Sequence, residues 1–125
     1  MLMSWTEIGK NHLQAAKATF DAQPRSSASR AYYAAHVVLA EALVLCGCVL
    51  TPGRETPPRN RQPRLIGLHF ADRGAAFVQE LRAVIRRVQA RRIDADYKRT
   101  VTFDRALALE SIRDASTVFK LLDVE

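Results

Sequence analysis

Two short segments of the 125-residue chain carry residues whose types and spacing suit chemistry on an anion. The first, RAYYAAHVVLAEALVLCG (residues 30–47), places His36 six positions after Arg30. The second, RRIDADYKRT (residues 91–100), combines two adjacent arginines with aspartates and a tyrosine. Arginine binds phosphate through a planar, bidentate fork, and histidine transfers protons near neutral pH. These residue types favour an anionic ligand, such as a nucleic acid, a nucleotide or an acidic protein.

The spacing of Arg30 and His36 does not bring the two side chains together on a helix. At about 100° per residue, His36 lies about 120° from Arg30, whereas Val37 lies within about 20° of it. His36 is expected instead to stack above Tyr32, one turn earlier. We therefore expect His36 to be a hydrogen-bonded core residue, with a catalytic histidine as the alternative. Tyr33 lies between the two directions and can line a cleft with Arg30.

The charge of the chain favours an anionic partner. It contains 19 Lys and Arg residues against 13 Asp and Glu residues, a net charge of +6. Such a balance is typical of proteins that bind nucleic acid, nucleotides or acidic proteins. The alternative is that many small domains are basic without having a charged ligand. The length suits one hydrophobic core, so a single domain is expected over residues 1–125.

The remaining composition argues against several function classes. No stretch is apolar for long enough to span a bilayer, and the first residues turn polar too early for a secretory signal, so a cytoplasmic protein without a membrane partner is expected. Cys46 and Cys48 are poorly spaced for a disulfide and lack the second ligand pair of a zinc site, which favours reduced thiols. No phosphate-cradling glycine loop or serine-based elbow motif occurs. No metal or cofactor is predicted.

The first helix is predicted from a capping box at the start of the chain. Ser4 and Glu7 form that box, and the helix is expected to run to about Asp21 before Pro24 ends it. Its expected buried stripe comprises Ile8, Leu13, Ala16 and Phe20.

The second helix is the most apolar segment of the chain. It is expected to begin near residues 26–27 and to end at Gly47, which can adopt a left-handed conformation. Residues 32–46 are apolar nearly all round, which is typical of a helix that is covered on several sides. In a chain this small, such covering favours a second subunit, so a homodimer is expected.

A segment rich in proline and arginine, VLTPGRETPPRNRQPRL (residues 49–65), interrupts the helical pattern. Its four prolines are incompatible with a regular helix, so a loop is expected at about residues 49–63. Two alternatives stay open for this loop, phosphate contact through its arginines or a solvated, mobile insertion. The arginines are Arg54, Arg59, Arg61 and Arg64.

Two further helices are predicted in the second half. The third has a short piece at about residues 65–72, a break at Gly74 and a long piece at about residues 75–92, and the fourth begins near Thr102 or Asp104. Helices with one apolar face and mostly short links favour an all-α, antiparallel, four-to-five-helix up-and-down bundle. The expected buried residues are Phe77, Leu81, Val84, Ile85 and Val88 in the third helix, and Ala108, Ile112, Ala115, Phe119 and Leu122 in the fourth. The side chains expected to face outward are Arg82, Arg86, Gln89 and Arg91.

Three segments taken together are similar to one known family. They are SRAYYAAHVVLAEALVLCG (residues 29–47), RRIDADY (residues 91–97) and ALESIRDASTVFKLL (residues 108–122). In this order and spacing, over about residues 4–123, the chain resembles the HEPN superfamily, and most of all its small stand-alone prokaryotic domains related to toxin–antitoxin ribonucleases. The resemblance implies a homodimeric helical domain that is often encoded beside a minimal nucleotidyltransferase.

The resemblance also implies where activity would reside. Active members are metal-independent ribonucleases in which an arginine, a polar residue and a histidine at the end of the third helix meet their copies across the dimer. The histidine removes a proton from the 2'-hydroxyl of RNA, and the arginine stabilises the charged phosphate. Here Arg92 keeps the arginine, whereas Asp96 stands at the histidine position and Tyr97 follows. An aspartate with a pKa of about 4 is a poor base for a hydroxyl proton, so weak or absent ribonuclease activity is expected.

Several interpretations of these residues stay open. In the first, the protein binds RNA, and Arg92, Asp96 and Tyr97 are the candidate catalytic residues. In the second, it is a non-catalytic partner of a nucleotidyltransferase, with Tyr97 as a candidate nucleotide acceptor, and Arg92 only pairs with Asp96 or Asp94 to hold the fold. A nucleotide-binding module is a further alternative. The candidate RNA- or nucleotide-binding residues are Arg30, Tyr33, Arg59, Arg61 and Arg91.

Overall fold

A computed structural model describes residues 4–124 of this chain. All regular secondary structure in this range is helical. No strand occurs within that range, which confirms the predicted all-α class. Two short 3-10 turns, Arg59–Arg61 and Ala71–Arg73, precede the third and fourth helices. Within the described range the five α-helices are α1 (Trp5–Thr19), α2 (Pro24–Leu45), α3 (Gln62–His69), α4 (Ala75–Tyr97) and α5 (Arg105–Leu121).

Helices α1 and α2 form a hairpin whose two ends are fixed by polar contacts. The Glu41 carboxylate, late in α2, accepts hydrogen bonds from the backbone N–H and the hydroxyl of Thr6 at the start of α1. The buried Ser27 hydroxyl, early in α2, donates to the carbonyl of Ala16 late in α1 at 2.7 Å. Each contact joins the start of one helix to the end of the other, so the two helices run in opposite directions.

Helix α2 is the central helix of the fold. It packs against α1, α4 and α5, and every residue from 34 to 40 is buried within one chain. We expected a second subunit to cover α2, but the helices of the same chain bury this part of it. Homodimer formation stays a prediction. The last turn of α2 is exposed instead, with Leu45 at 82%.

The end of α2 follows the predicted left-handed closure. Gly47 has φ +102°, and its N–H donates to the carbonyl of Val44 at 3.0 Å. The N–H of Cys48 donates to the carbonyl of Leu43, also at 3.0 Å, which completes a Schellman motif. Buried Cys48 then leads the chain back to the core, and both cysteines are free thiols.

Prolines shift two predicted helix starts toward the amino terminus. Helix α2 begins at Pro24 rather than near residues 26–27, and α3 begins at Gln62 rather than at about Leu65. Pro24 and Pro63 each lie in a first turn, where a fixed φ suits the helix and the missing N–H has no helical partner. The non-helical part of the segment at 49–63 is therefore shorter than predicted.

Helix α4 continues to Tyr97, whereas its predicted end is at about Arg92. The guanidinium of Arg25, at the start of α2, stabilises this extension from 69 positions earlier in the chain. It donates at 2.6 to 3.2 Å to carbonyls of the last turn of α4 and the residues that follow. Those carbonyls belong to Asp94, Ala95, Lys98 and Val101.

The predicted buried stripes are confirmed for most of their members. Leu13 and Ala16 of α1, four of the five α4 residues and four of the five α5 residues are buried, and the rest are partly exposed. Helix α5 begins after Asp104, whose carboxylate accepts from the N–H of Leu107 at 3.1 Å. None of the helices within residues 4–124 combines the length and apolarity needed to cross a bilayer.

Candidate functional site

Arg92 lies at the centre of a cluster of tyrosines between α2 and α4. Its guanidinium carbon is 5.5 Å from the ring centre of Tyr32, 5.8 Å from that of Tyr33 and 5.1 Å from that of Tyr97. Its Nη2 donates to the hydroxyls of Tyr33 and Tyr97, each at 3.3 Å. Cation–π attraction and these two hydrogen bonds hold the planar guanidinium in one orientation. Only 9% of the Arg92 side chain is exposed.

Asp96 is engaged by two neighbours. Its Oδ2 lies 3.0 Å from Nε of Arg92, one helical turn earlier, and accepts a hydrogen bond from the Ser29 hydroxyl at 3.2 Å. Asp94, the alternative partner considered for Arg92, pairs with Lys98 at 3.2 Å. Burial alone would lower the pKa of Arg92, but the hydrogen bond to the Tyr33 hydroxyl and the nearby Tyr97 and Asp96 raise it overall. Arg92 therefore stays a cation.

An open cleft of about 660 Å³ lies over one side of this cluster. Three arginines line it, two from the segment rich in proline and arginine and one from α4, and its lining includes no carboxylate. Tyr97 is 68% exposed at its edge. The lining residues are Arg54, Pro58, Arg59, Asn60, Gln89, Arg92, Ile93 and Tyr97, and we call this site the arginine cleft.

The arginine cleft exists because the segment rich in proline and arginine is anchored on both sides. On the α2 side, buried Gln62 makes a side-chain hydrogen bond of 2.9 Å to Nδ1 of His36. On the α4 side, Nε of Arg82 donates to the carbonyl of Pro63 at 2.7 Å. Arg59 lies with its guanidinium carbon 6.0 Å from the ring centre of Tyr32. The segment is thus held against the bundle rather than solvated along its whole length.

His36 is a core residue, as its helical position predicts. Its ring stacks on that of Tyr32, with centres 5.8 Å apart and an angle of 14° between the planes. It is 9% exposed and hydrogen bonded to Gln62. Burial lowers the pKa of His36, and the nearby charge of Arg59 lowers it further. The hydrogen bond with Gln62 raises the pKa by less, so the ring is neutral at neutral pH. It does not line the arginine cleft.

Three of the four predicted binding arginines, Arg30, Arg61 and Arg91, lie outside the arginine cleft. Arg91 was expected to face outward, but its side chain is only 14% exposed and pairs with Asp114 of α5. Its Nε also donates to the Ser111 hydroxyl at 2.9 Å, so it holds α4 and α5 together. Arg61 is exposed and lines a separate, small cavity beside Cys48.

Arg30 and Tyr33 line a second, adjacent cleft of about 440 Å³ together with His12 and Ser29. Tyr33 is common to both places because its hydroxyl accepts from Arg92 of the arginine cleft while its side chain lines the second cleft. The arginine cleft therefore brings together three predicted site residues from two segments of the sequence, Arg59, Arg92 and Tyr97. Two further predicted residues, Arg30 and Tyr33, line the adjacent second cleft.

Several lining residues of these two clefts were not predicted as site residues. Arg54 lies in the predicted loop rich in proline and arginine but was not among its predicted binding residues. Asn60 lies between Arg59 and Arg61, which were both predicted to bind a ligand. Gln89 precedes Arg92 by three positions, a spacing that places both on one helix face. His12 had no local signal because its partners Arg30 and Tyr33 belong to another helix.

The arginine cleft is suited to binding an anion rather than to proton transfer. Its lining includes no histidine and no carboxylate, and neighbouring Asp96 is held by Arg92 and Ser29. Within residues 4–124, no group of three His, Cys, Asp or Glu side chains is placed to hold a metal ion. What the arrangement offers is three positive charges, two side-chain amides and an accessible aromatic ring.

Comparison with known proteins does not assign the chain to a family. No protein-family model, no curated protein and no solved structure matches it. What the chain binds must therefore be inferred from the geometry and charge of its own clefts.

Proposed function

We propose that this chain is an RNA-binding protein of HEPN-like arrangement, associated with a toxin–antitoxin pair, and that its arginine cleft holds the phosphates of a single RNA strand. The observation that carries the proposal is the convergence of Arg54, Arg59 and Arg92 on one cleft whose lining has no carboxylate. Guanidinium groups bind phosphate oxygens in a bidentate way, which suits this arrangement. The net charge of +6 favours the same class of ligand.

The accessible tyrosine favours a single strand over a duplex. Tyr97 is 68% exposed, and Arg92 orients it through a hydrogen bond to its hydroxyl. Bases of single-stranded RNA stack on such rings, whereas bases inside a duplex are not accessible to them. The amides of Asn60 and Gln89 lie in the same cleft, where they can hydrogen bond to base edges.

Weak or absent ribonuclease activity is part of the proposal. Cleavage through the 2'-hydroxyl needs a base within hydrogen-bond reach of that group. Asp96 stands where the resembled family has its histidine, and its carboxylate is held by Arg92 and Ser29. Because no free base lies beside Arg92, the cleft favours retention of RNA over its cleavage.

Fluorescence anisotropy with a labelled, single-stranded oligoribonucleotide tests the RNA-binding proposal. The double variant Arg54→Gln/Arg59→Gln removes two exposed charges and should bind at least about tenfold more weakly than the wild type. Arg113→Gln removes one exposed charge from α5 and serves as the control. Equal affinities for the wild type and the double variant would overturn the proposal. The same samples, analysed for cleavage products, test the ribonuclease expectation.

A second candidate function rests on the exposure of Tyr97. Its hydroxyl lies 3.3 Å from Nη2 of Arg92, where a cation is available to a nucleotide phosphate. In this alternative the chain is a homodimeric, non-catalytic partner of a minimal nucleotidyltransferase. The Tyr97 oxygen attacks the α-phosphorus of a nucleoside triphosphate that the enzyme holds, pyrophosphate leaves, and the phenolic proton goes to solvent. Mass spectrometry of the Tyr97 peptide after co-expression with such an enzyme tests this alternative. A peptide heavier by one nucleotide would support it, and an unmodified peptide would contradict it. A thermal-shift panel of free nucleotides tests the simpler nucleotide-binding alternative.

A further inference from the structure

The second cleft brings a histidine and an arginine from different helices into direct contact. Nδ1 of His12 on α1 lies 3.2 Å from Nη1 of Arg30 on α2. The ring of His12 packs against that of Tyr33, with centres 5.9 Å apart. Ser29 completes the lining of this cleft of about 440 Å³. Neither group takes part in the contacts that form the arginine cleft.

The contact with Arg30 determines the protonation state of His12. A guanidinium has only donors, so Nδ1 of His12 must accept, and the ring is then neutral with its proton on Nε2. Burial lowers the pKa of His12, and the charge of Arg30 lowers it further. Arg30 and Tyr33 of α2 face the ring, and Ser29, which also lines this cleft, donates to Asp96 of α4.

Tyr33 and Asp96 link the two clefts because each contacts lining residues of both. The Tyr33 hydroxyl accepts from Arg92, whereas its ring forms a wall against His12. Asp96 contacts Arg92 on one side and Ser29 on the other. Tyr33 thus contacts a lining residue of each cleft, which makes the two clefts neighbours.

We propose that the second cleft is a further phosphate subsite, in which Arg30 and His12 together hold another phosphate of the RNA strand bound in the arginine cleft. A phosphate oxygen accepts from Arg30 and replaces Nδ1 of His12 as its partner. Nδ1 then takes a proton from solvent and donates it in a hydrogen bond to a second oxygen of the same phosphate. One proton enters with the RNA, and no covalent bond of the RNA changes. This inference rests on the proposed RNA-binding function.

Proton uptake gives this subsite a pH dependence of defined sign. The bound phosphate stabilises the imidazolium, so the pKa of His12 is higher in the complex than in the unbound protein. Affinity is then greatest below the unbound pKa and decreases as pH rises through the pKa of the complex. The decrease is at most about tenfold per pH unit for one proton.

The test measures anisotropy with an oligouridylate that has no terminal phosphate, because its bases and phosphodiesters do not titrate between about pH 5 and about pH 7.5, where histidine does. Wild-type affinity should decrease across this range. His12→Gln, which keeps a polar side chain but cannot become a cation, should give a much flatter profile. Arg30→Gln should bind about five- to tenfold more weakly at the lower pH, whereas the control Arg113→Gln should match the wild type.

The outcomes separate this inference from the proposed function. If Arg54→Gln/Arg59→Gln loses affinity while His12→Gln and Arg30→Gln behave like the wild type, the second subsite is wrong and RNA binding in the arginine cleft stands. If the double variant also binds like the wild type, both proposals are wrong. An NMR titration of the His12 ring gives a second readout, and a pKa that is unchanged when oligouridylate is added would also overturn the subsite.

Discussion

The arginines of this protein differ in what their guanidinium groups contact, and those contacts predict which of them can bind a ligand. Arg91 is neutralised by Asp114, and Arg25 donates to backbone carbonyls at the end of α4. Arg54 and Arg59 are exposed at the arginine cleft, where no carboxylate lines the surface. Arg92 combines both properties because tyrosines hold it in place while it still lines the cleft.

Replacing Arg92 should therefore affect both stability and RNA binding. Arg92→Ala removes the cation–π contacts and leaves the tyrosine hydroxyls without their donor, which should lower the free energy of unfolding by about 1–3 kcal/mol. It should also weaken RNA binding, whereas Arg91→Ala should destabilise the protein with little effect on affinity. Urea denaturation and anisotropy on both variants test this. Unchanged RNA affinity in folded Arg92→Ala would contradict the assignment.

At the scale of helices and segments, two long-range contacts determine the shape of the arginine cleft. Gln62 joins the segment rich in proline and arginine to His36 of α2, and Arg82 joins the same segment to α4 through Pro63. Neither contact supplies a lining residue of the cleft. Because they fix where Arg54 and Arg59 lie, they should influence affinity without touching the ligand.

The Arg82 contact offers a test of this positioning role. Arg82→Gln should weaken RNA binding by a few fold. Without this contact the segment rich in proline and arginine becomes ordered only when RNA binds, and that ordering costs free energy. It should also increase the rate of proteolytic cleavage within residues 51–58, which depends on local opening. Arg86→Gln, on the exposed face of the same helix, removes an equal charge and should leave both measurements unchanged. Equal affinities of the two variants would argue against a positioning role.

Gly9 permits the close approach of α1 and α2. A Cβ at this position would lie 2.5 Å from Cγ2 of Val38 and 3.2 Å from the carbonyl oxygen of Ala34. Helix propensity alone would make Gly9→Ala stabilising by about 1 kcal/mol. The crowding should outweigh that gain and lower the free energy of unfolding by about 1–3 kcal/mol, measured by urea denaturation. An increase in stability would show that the helices separate easily at this point.

The helices could be predicted from the sequence more completely than the site. Apolar periodicity identified the buried faces of α4 and α5, and the composition around Gly47 identified the end of α2. The extension of α4 to Tyr97 was missed because it depends on Arg25, which is remote in sequence. The arginines at 59 and 92 were predicted separately, but their convergence depends on how Gln62 and Arg82 anchor a segment without regular periodicity.

At the scale of the whole molecule, a basic chain places several arginines in two neighbouring clefts beside the α2–α4 contact. Arg54, Arg59 and Arg92 line the arginine cleft, and Arg30 lies in the adjoining one. Acidic residues are used instead in structural pairs, such as Asp114 with Arg87 and Arg91. Most charges that hold helices together thus lie apart from the two clefts, and Arg92 is the exception because it pairs with Asp96 and also lines the arginine cleft.

The stability of the whole molecule should decrease at acidic pH. Burial lowers the pKa of both His12 and His36 below the value of 6.5 expected in the unfolded chain. The unfolded state therefore binds more protons, so the free energy of unfolding is largest above about pH 7.5 and falls as pH drops through the ordinary histidine range. Urea denaturation at several pH values tests this, and His12→Gln should show a smaller decrease. Constant stability between about pH 7.5 and about pH 5.5 would contradict it.

The salt dependence of RNA binding tests the central claim most directly, because it counts the phosphates that the protein neutralises. For single strands, the slope of log affinity against log salt concentration is about −0.7 for each phosphate contact. Arg54→Gln/Arg59→Gln should reduce the magnitude of this slope by about 1.4 relative to the wild type. Arg113→Gln/Lys120→Gln, which removes two exposed charges of α5, should leave it unchanged. An equal slope for the wild type and the Arg54→Gln/Arg59→Gln variant would show that the arginine cleft does not hold the RNA backbone.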